Sequence, residues 1–448
     1  MNTSSSSPRG PADKSDDKPG GLLALALLSL PVGAATGLVG ALFRLTLDEA
    51  DRWRDLAIAW AHGLGGVAGG VGGFLLVVAV GAAAAFVAAW MVRTLSPHAS
   101  GSGIPHVEAV LNREIKPASF LLLPVKFVGG VLAIGSGLAL GREGPSVQMG
   151  ASLGHIVGQL FRRHWPDLRV LMAAGAGAGL ATAFNAPFAG AIFVLEELVQ
   201  RFEHRIAVAA LGASAAAIAV ARAILGVQPD LSVMPLQHVP ALSLPLFVVM
   251  GVGLGVLAVG YNRLLLLALD LVAKLKQIPP EGRAALIGAA VAAVAWFWPG
   301  LVGGGDNLSQ AALSGGPAVM NALAWLPLIF LLRAVLGAAS YAAATPGGLF
   351  APMLVLGAQA GLLFGAGCAA LFPGFAIPPQ AFAVVGMAAF FTGVVRAPLT
   401  GMVLITEMTT AFNLLLPMLA ACFATMLLPT LMRDKPIYES LRERLLKR

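Results

Sequence analysis

Between Arg333 and Arg396 the chain carries no Asp, Glu, Lys, Arg or His. One helical crossing of a ~30 Å hydrocarbon core needs about 20 residues, so this stretch is long enough to cross more than once. The rest of the chain is of the same kind. Hydrophobic residues make up 58% of the 448 and charged ones 11%, against about 25% charged in soluble domains. Length alone would allow about three soluble domains, but no stretch resembles a soluble linker. The expected class is an all-α polytopic membrane protein.

Its apolar runs are broken. They lie near 21 to 46, 64 to 93, 117 to 140, 171 to 195, 206 to 225, 241 to 269, 284 to 302, 323 to 343, 349 to 372, 380 to 395 and 397 to 431, interrupted by Gly, Pro and Ser. Short, tilted or half-spanning helices fit this better than uniform spans, because Gly and Pro are tolerated in a membrane where the freed backbone lines a protein cavity. Residues 1–20 are polar and rich in Ser, Pro and Asp, the composition of a disordered tail. The apolar run from Gly21 is too long for a secretory signal and shows no clear cleavage site. From Arg433 onward six Lys or Arg face three acids, which predicts a cytoplasmic C-terminus by the positive-inside rule; the N-terminal tail speaks less clearly but is placed on the same side. The net charge of +7 belongs to this topology, and no basic, aromatic-bearing groove suggests nucleic acid.

Enzyme and cofactor signatures are missing. Cys368 and Cys422 sit in apolar segments without a CxxC or His partner, so neither a disulfide framework nor a metal site is expected. There is no HExxH, GxSxG or GxxxxGK[ST] pattern. Gly175, Gly177 and Gly179 lack the strand and downstream acid of a dinucleotide fingerprint; in a membrane helix such glycines permit close packing.

An internal repeat is present. Residues 185–196 (NAPFAGAIFVLE) match 396–407 (RAPLTGMVLITE), an offset of 211, and Gly175 and Ala178 fall on Gly386 and Ala389. Pro145 with Gly150-Ala151 matches Pro352 with Gly357-Ala358 at an offset of 207. The expected organisation is a first membrane repeat over 21–225, a second over 226–432 and a basic terminal segment over 433–448. Repeats that enclose a midplane site between broken helices are a transporter pattern, with half-helix N-termini aimed at anionic substrates.

Three segments read as such N-termini: Gly101-Ser102-Gly103-Ile104-Pro105, Gly141-Arg142-Glu143-Gly144-Pro145, and Gly347-Gly348-Leu349-Phe350-Ala351-Pro352. In the first, Ser102 is the expected cap; in each, a Pro suits the opening turn. Unpaired N–H groups and a positive dipole end suit a dehydrated anion. Glu143 sits inside one of them. A carboxylate near the bilayer centre costs about 2.5 to 3.5 kcal/mol, more than the about 0.3 to 1 kcal/mol that an acid gains at a helix start. Capping alone is a weak reason to keep it there.

These segments resemble, in order, the three anion-site motifs of the CLC family of chloride channels and chloride/proton antiporters, and Tyr438 in Lys435-Pro436-Ile437-Tyr438 is similar to its fourth contributor. The resemblance spans nearly the whole chain from about residue 21. It implies two inverted-topology repeats, a homodimer in the bacterial inner membrane, and one anion pathway per subunit. It also implies roles: Ser102, the backbone amides of Leu349 and Phe350, and Tyr438 for the anion, Glu143 as external gate and proton acceptor, and Glu197 as internal proton-transfer acid. Channel members usually carry an apolar residue in place of Glu197, so its presence implies chloride/proton exchange; a passive chloride channel is the alternative. Intact first and second motifs speak for chloride over fluoride.

Bland readings stand beside several of these. Ser102 serves as a cap in either case. Tyr438, beside a basic terminus, also fits an interfacial anchor, and Glu196-Glu197 fit two acids snorkelling at a helix end. His106 stands where many relatives have an acid and reads as an ordinary polar helix residue.

Overall fold

In the computed structural model, residues 21–64, 66–227, 231, 233, 239–315, 323–375 and 377–447 are described; the expected tail over 1–20 lies outside them. The described residues form seventeen α-helices and no β-strand: α1 (Leu22–His62), α2 (Gly66–Leu95), α3 (Ile104–Leu111), α4 (Leu122–Gly135), α5 (Glu143–Leu160), α6 (Trp165–Phe184), α7 (Pro187–Phe193), α8 (His204–Leu225), α9 (Leu244–Lys274), α10 (Pro280–Phe297), α11 (Asp306–Ser314), α12 (Leu326–Ala342), α13 (Phe350–Leu371), α14 (Pro379–Val395), α15 (Pro398–Thr409), α16 (Leu415–Leu431) and α17 (Ile437–Leu446). Among them, α1, α2, α8, α9, α12, α13 and α16 carry the seven segments long and apolar enough to cross a membrane. Leucines and phenylalanines such as Leu23, Leu419 and Phe423 lie exposed on them, as a lipid-facing surface requires.

Several apolar runs resolve into more than one helix. The run over 171–195 breaks at Asn185, which closes α6 in the left-handed conformation at φ 51° before Pro187 opens α7. The run over 397–431 breaks likewise at Thr410. By contrast α1 continues to His62, well past the apolar limit near 46, and Asp48, Asp51, Arg54 and Asp55 of that extension line a cavity of about 520 Å³.

The repeat seen in the sequence is a repeat in packing. A Cβ added at Gly150 of α5 would lie 2.1 Å from the Gly175 carbonyl of α6, and one added at Gly175 would lie 2.1 Å from the Gly150 carbonyl. The equivalent pair in the second half, Gly357 of α13 and Gly386 of α14, shows the same mutual approach at 2.5 Å. Small residues let the two backbones of each pair touch.

The two halves also cap each other. Glu196, just beyond α7, accepts hydrogen bonds from Leu399 N–H (2.9 Å), Thr400 N–H (2.6 Å) and the Thr400 hydroxyl (2.7 Å) at the start of α15. Its repeat partner Glu407 at the end of α15 accepts from Phe188 N–H (3.2 Å) and Ala189 N–H (2.8 Å) at the start of α7. Such an exchange of identical contacts is what a two-fold relation between halves produces. Each acid meets the positive end of the opposite helix and satisfies orphan donors there.

Replacing Gly386 by Leu is expected to abolish the monodisperse peak of detergent-purified protein in size exclusion, because the side chain would have to displace backbone. Gly253 of α9 has open space around it, and Gly253→Ala should leave both the peak and the melting temperature at or slightly above the parent's.

Candidate functional site

The three glycine-rich segments are tied together through their backbones. Gly101 N–H donates to Thr345 O at 3.1 Å and Gly347 N–H to Gly101 O at 3.1 Å. Gly141 N–H donates to Gly348 O at 2.9 Å, and Gly348 N–H returns to Gly141 O at 2.7 Å. These isolated bridges bring the starts of α3, α5 and α13 to one place. Glycine is required for this approach: a Cβ at Gly144 would fall 2.8 Å from the Ser102 carbonyl.

A buried cation holds the first segment. Lys126 of α4 is fully buried and donates from Nζ to Ala99 O (3.0 Å) and Gly101 O (2.7 Å). Tyr341 of α12 closes the same corner, its hydroxyl 3.5 Å from Ser102 N. Neither residue stood out in the sequence. The signal that would have found Lys126 is a lone Lys inside an otherwise apolar run, which membrane insertion penalises unless the group has a task.

Ser102, Glu143, Leu349, Phe350 and Tyr438 are all completely buried. Ser102 is not the N-cap of α3. That position belongs to Gly103, in the left-handed conformation at φ 83°, a backbone a serine adopts only with strain. The Ser102 Oγ still accepts from Ile104 N–H at 3.3 Å, which leaves its hydrogen free for a ligand.

Glu143 reaches across to the opposite repeat. Its Oε1 accepts from Phe350 N–H at 2.6 Å and Ala351 N–H at 3.3 Å, at the first turn of α13. The amides that hold the Glu143 carboxylate are thus those of Phe350 and Ala351. Oε2 is buried with no hydrogen-bond partner among the described residues, and so is the Tyr438 hydroxyl. Buried polar atoms of this kind cost free energy unless a partner supplies the contact. Tyr438 is therefore a core residue and not an interfacial anchor. Its ring lies 6.0 Å from that of Phe350, which also packs on Phe391 at 4.7 Å and Phe193 at 5.6 Å. Arg142 turns away from this centre, donating from Nε to Ala183 O at 3.0 Å and approaching Asp306 at 3.5 Å.

Two cavities flank the buried cluster. One, of about 520 Å³, is lined by Gly141, Arg142, Ala351, Asp306 and the acids of α1. The other, of about 540 Å³, is lined by Gly101, Gly103, His106, Tyr341, Arg444 and Lys447. The three motifs thus form a closed partition between two water-accessible spaces. His106 is a buried residue with both ring nitrogens lacking hydrogen-bond partners among the described residues, and its ring lies tilted against that of His98 with centroids 4.7 Å apart.

Beyond α7 the chain runs into a π turn, Val194–Leu198, in which Val199 N–H reaches back to Val194 O at 2.9 Å, and Glu196 and Glu197 part there. Glu196 faces α15. Glu197 is buried on another side, among the charges of Glu108, Glu439 and Arg442, so it is not a snorkelling acid. One turn earlier, Phe193 packs edge-on against Phe350, whose amide holds Glu143. Among the described residues no group of His, Cys, Asp and Glu is arranged to hold a metal ion.

Such a partition, built from helix starts of two inverted repeats, defines a membrane transport protein. The chain belongs to the voltage gated chloride channel family, whose model matches residues 84–429. It is 37% identical over 430 residues to the H(+)/Cl(-) exchange transporter ClcA of Vibrio parahaemolyticus serotype O3:K6, covering 94% of this chain and 90% of that one. To the ClcA of Salmonella typhi it is 36% identical over 437 residues, covering 95% and 89%. Among solved structures, a slow cyanobacterial Cl-/H+ antiporter superposes with a TM-score of 0.88 at 30% identity, covering 96% of this chain and 99% of that one. A eukaryotic CLC transporter shares the fold with a TM-score of 0.77 at 24% identity, covering 95% of this chain and 74% of that one.

Replacing Lys126 by Met would take from the buried Ala99 carbonyl its Lys126 donor, at about 1 to 3 kcal/mol, and leave Gly101 O with the Gly347 N–H alone. The melting temperature of the detergent-purified variant, followed by tryptophan fluorescence, is expected to fall by several degrees.

Proposed function

We propose that this protein is a secondary-active chloride/proton antiporter. The observation that carries the reading is the Glu143 carboxylate seated on the Phe350 and Ala351 amides, at a closed point where three helix starts meet. A carboxylate held by backbone N–H groups occupies the kind of place that suits a dehydrated anion. Its relatives' names, as H(+)/Cl(-) exchange transporters, support the same conclusion.

In the proposed cycle chloride competes with the ionised Glu143 side chain for those amides. Protonation of Glu143 weakens its hold, because a neutral carboxyl is a poorer acceptor than a carboxylate. The side chain leaves, and chloride takes the place with contacts from the Ser102 hydroxyl, the amides around Leu349 and Phe350, and the Tyr438 hydroxyl. Glu197 accepts the proton from the cytoplasmic side and passes it toward Glu143. One site serving two ions in turn supplies the coupling. The protein works in the inner membrane as a homodimer, with both termini cytoplasmic and repeats over 21–225 and 226–432. No nucleic acid, metal or cofactor enters the cycle.

In liposomes carrying a chloride gradient, with voltage clamped near zero by a potassium ionophore, the wild type is expected to drive protons uphill. Glu143→Gln should abolish proton movement while chloride passes, since the amide mimics the neutral acid; Glu197→Gln should do the same. Chloride flux without proton movement in the wild type would make this a passive channel.

Selectivity tests the inner contact. Ser102→Ala removes the hydroxyl and keeps the Ser102 N–H that faces the Tyr341 hydroxyl, and it should reduce the preference for chloride over nitrate. An unchanged anion ranking at normal flux would leave Ser102 with a structural role only.

A further inference from the structure

Arg442 lies one turn beyond Tyr438 on α17 and joins that helix to α3. Its Nη1 donates to Glu108 Oε1 at 2.7 Å, and its Nε lies 3.9 Å from Glu114 Oε2. Glu108 sits in the last turns of the helix that begins beside Ser102, with its side chain 2% exposed. Gln200 Nε2 approaches the same Glu108 oxygen at 3.5 Å. The pair therefore links the two helices that carry Ser102 and Tyr438, across 334 residues of chain.

The pair also stands beside Glu197. The charges that act most on Glu197 are Glu108, Glu196, Arg442 and Glu439, three acids and one cation. Other charged groups on the surrounding elements are engaged elsewhere. Arg169 of α6 donates to Leu111 O at 3.1 Å and pairs with Glu203 at 2.8 Å; Lys435 pairs with Glu439 and Glu443. Glu196 is spent on the α15 amides and Glu143 on those of α13. His106 of α3 lies on the Gly101 side and packs its ring against that of His98.

Two neighbouring buried acids tend to share one proton, and their titrations then belong to the pair. Glu108 would be a dead end for such a proton. It lies at the C-terminal, negative end of α3, whereas Glu197 stands one turn from Phe193 and so from the Phe350 contact to Glu143. Burial pushes the Glu108 carboxyl up to about 7 and the Arg442 guanidinium opposes that rise, so the 2.7 Å ion pair favours Glu108 as a carboxylate.

We propose that Arg442 is a positioning residue of the proton branch: its ion pair withholds Glu108 from proton exchange, leaves Glu197 as the single acceptor on this side, and fixes the Tyr438 helix against the Ser102 helix. This rests on the exchanger reading above.

The test is the dependence of chloride-driven proton flux on the pH of the side bearing the C-terminal segment. Arg442→Gln should move the half-maximal pH upward by about one unit, the effect of removing a neighbouring opposite charge from an acidic pair. Arg442→Lys should keep the wild-type midpoint. Chloride flux in the uncoupled Glu197→Gln background should show no such shift when Arg442→Gln is added. An unshifted midpoint, with proton and chloride flux falling in proportion, would overturn the proposal and leave Arg442 as a structural tether. Loss of one partner from a buried pair is strongly destabilising, so if Arg442→Gln does not fold, the double variant Arg442→Leu with Glu108→Gln decides. It removes both charges and the competing acid, and a midpoint near the wild type supports the proposal; a shift of a unit overturns it. Proton pumping that persists in Glu197→Gln would take Glu197 out of the proton route and overturn the proposal, whereas chloride flux without proton movement in the wild type would sink the exchanger reading itself.

Discussion

The structure depends on the convergence of three helix N-termini at a point with no water. Each contributes unpaired N–H groups and a positive dipole end, so three such ends repel one another unless something negative lies between them. The chain supplies two remedies. Backbone bridges from Gly101 to the 345–347 segment and from Gly141 to Gly348 pull the loops together, and the Glu143 carboxylate sits on the α13 amides. The packing of α5 on α6 and of α13 on α14, with glycines at both crossings, then fixes the angle at which the helices arrive.

Much of this was legible in the sequence because its signals are local. A Gly-rich turn followed by Pro marks a helix start wherever it occurs, and three of them in order, with the duplicated stretch at 185–196 and 396–407, carried the fold class and most of the site. What could not be read depends on partners far apart in the chain. Lys126 is a single letter in an apolar run until its Nζ is seen on the Ala99 and Gly101 carbonyls. Ser102 looks like a cap until the left-handed Gly103 displaces it by one residue. Ala351 joins the site only because Glu143 approaches from the other repeat, and Arg442 has no visible purpose until α17 folds back onto Glu108.

Glu196 and Glu197 show how much one position along a helix decides. Neighbouring side chains on a helix diverge by about 100°. Glu196 meets the α15 start, where its repeat equivalent Glu407 performs the mirrored task from a regular α-helix, and Glu197 lies inside a cluster of charges with no counterpart in the second half, where Met408 follows Glu407. Symmetry therefore accounts for the first acid and not for the second. The asymmetric residue is the one available for a directional task.

The centre uses partial charges, and this matters for release. Two basic residues of the surrounding elements are turned to other work: Lys126 to two carbonyls, and Arg142 to Ala183 and Asp306. An anion seated directly on a Lys or Arg in so dry a place would be held too tightly to leave, whereas conduction needs binding weak enough to reverse. Backbone dipoles meet that condition for a single halide. They do not meet it for a carboxylate that is tethered to the chain, since Glu143 pays no translational entropy to return to its amides. A covalently attached competitor therefore wins against a free anion at equal intrinsic strength, and the balance turns only when its charge is removed. Protonation is the one chemical change available to it, so under the function proposed above a site built from dipoles with its own tethered acid makes proton binding the condition for anion passage.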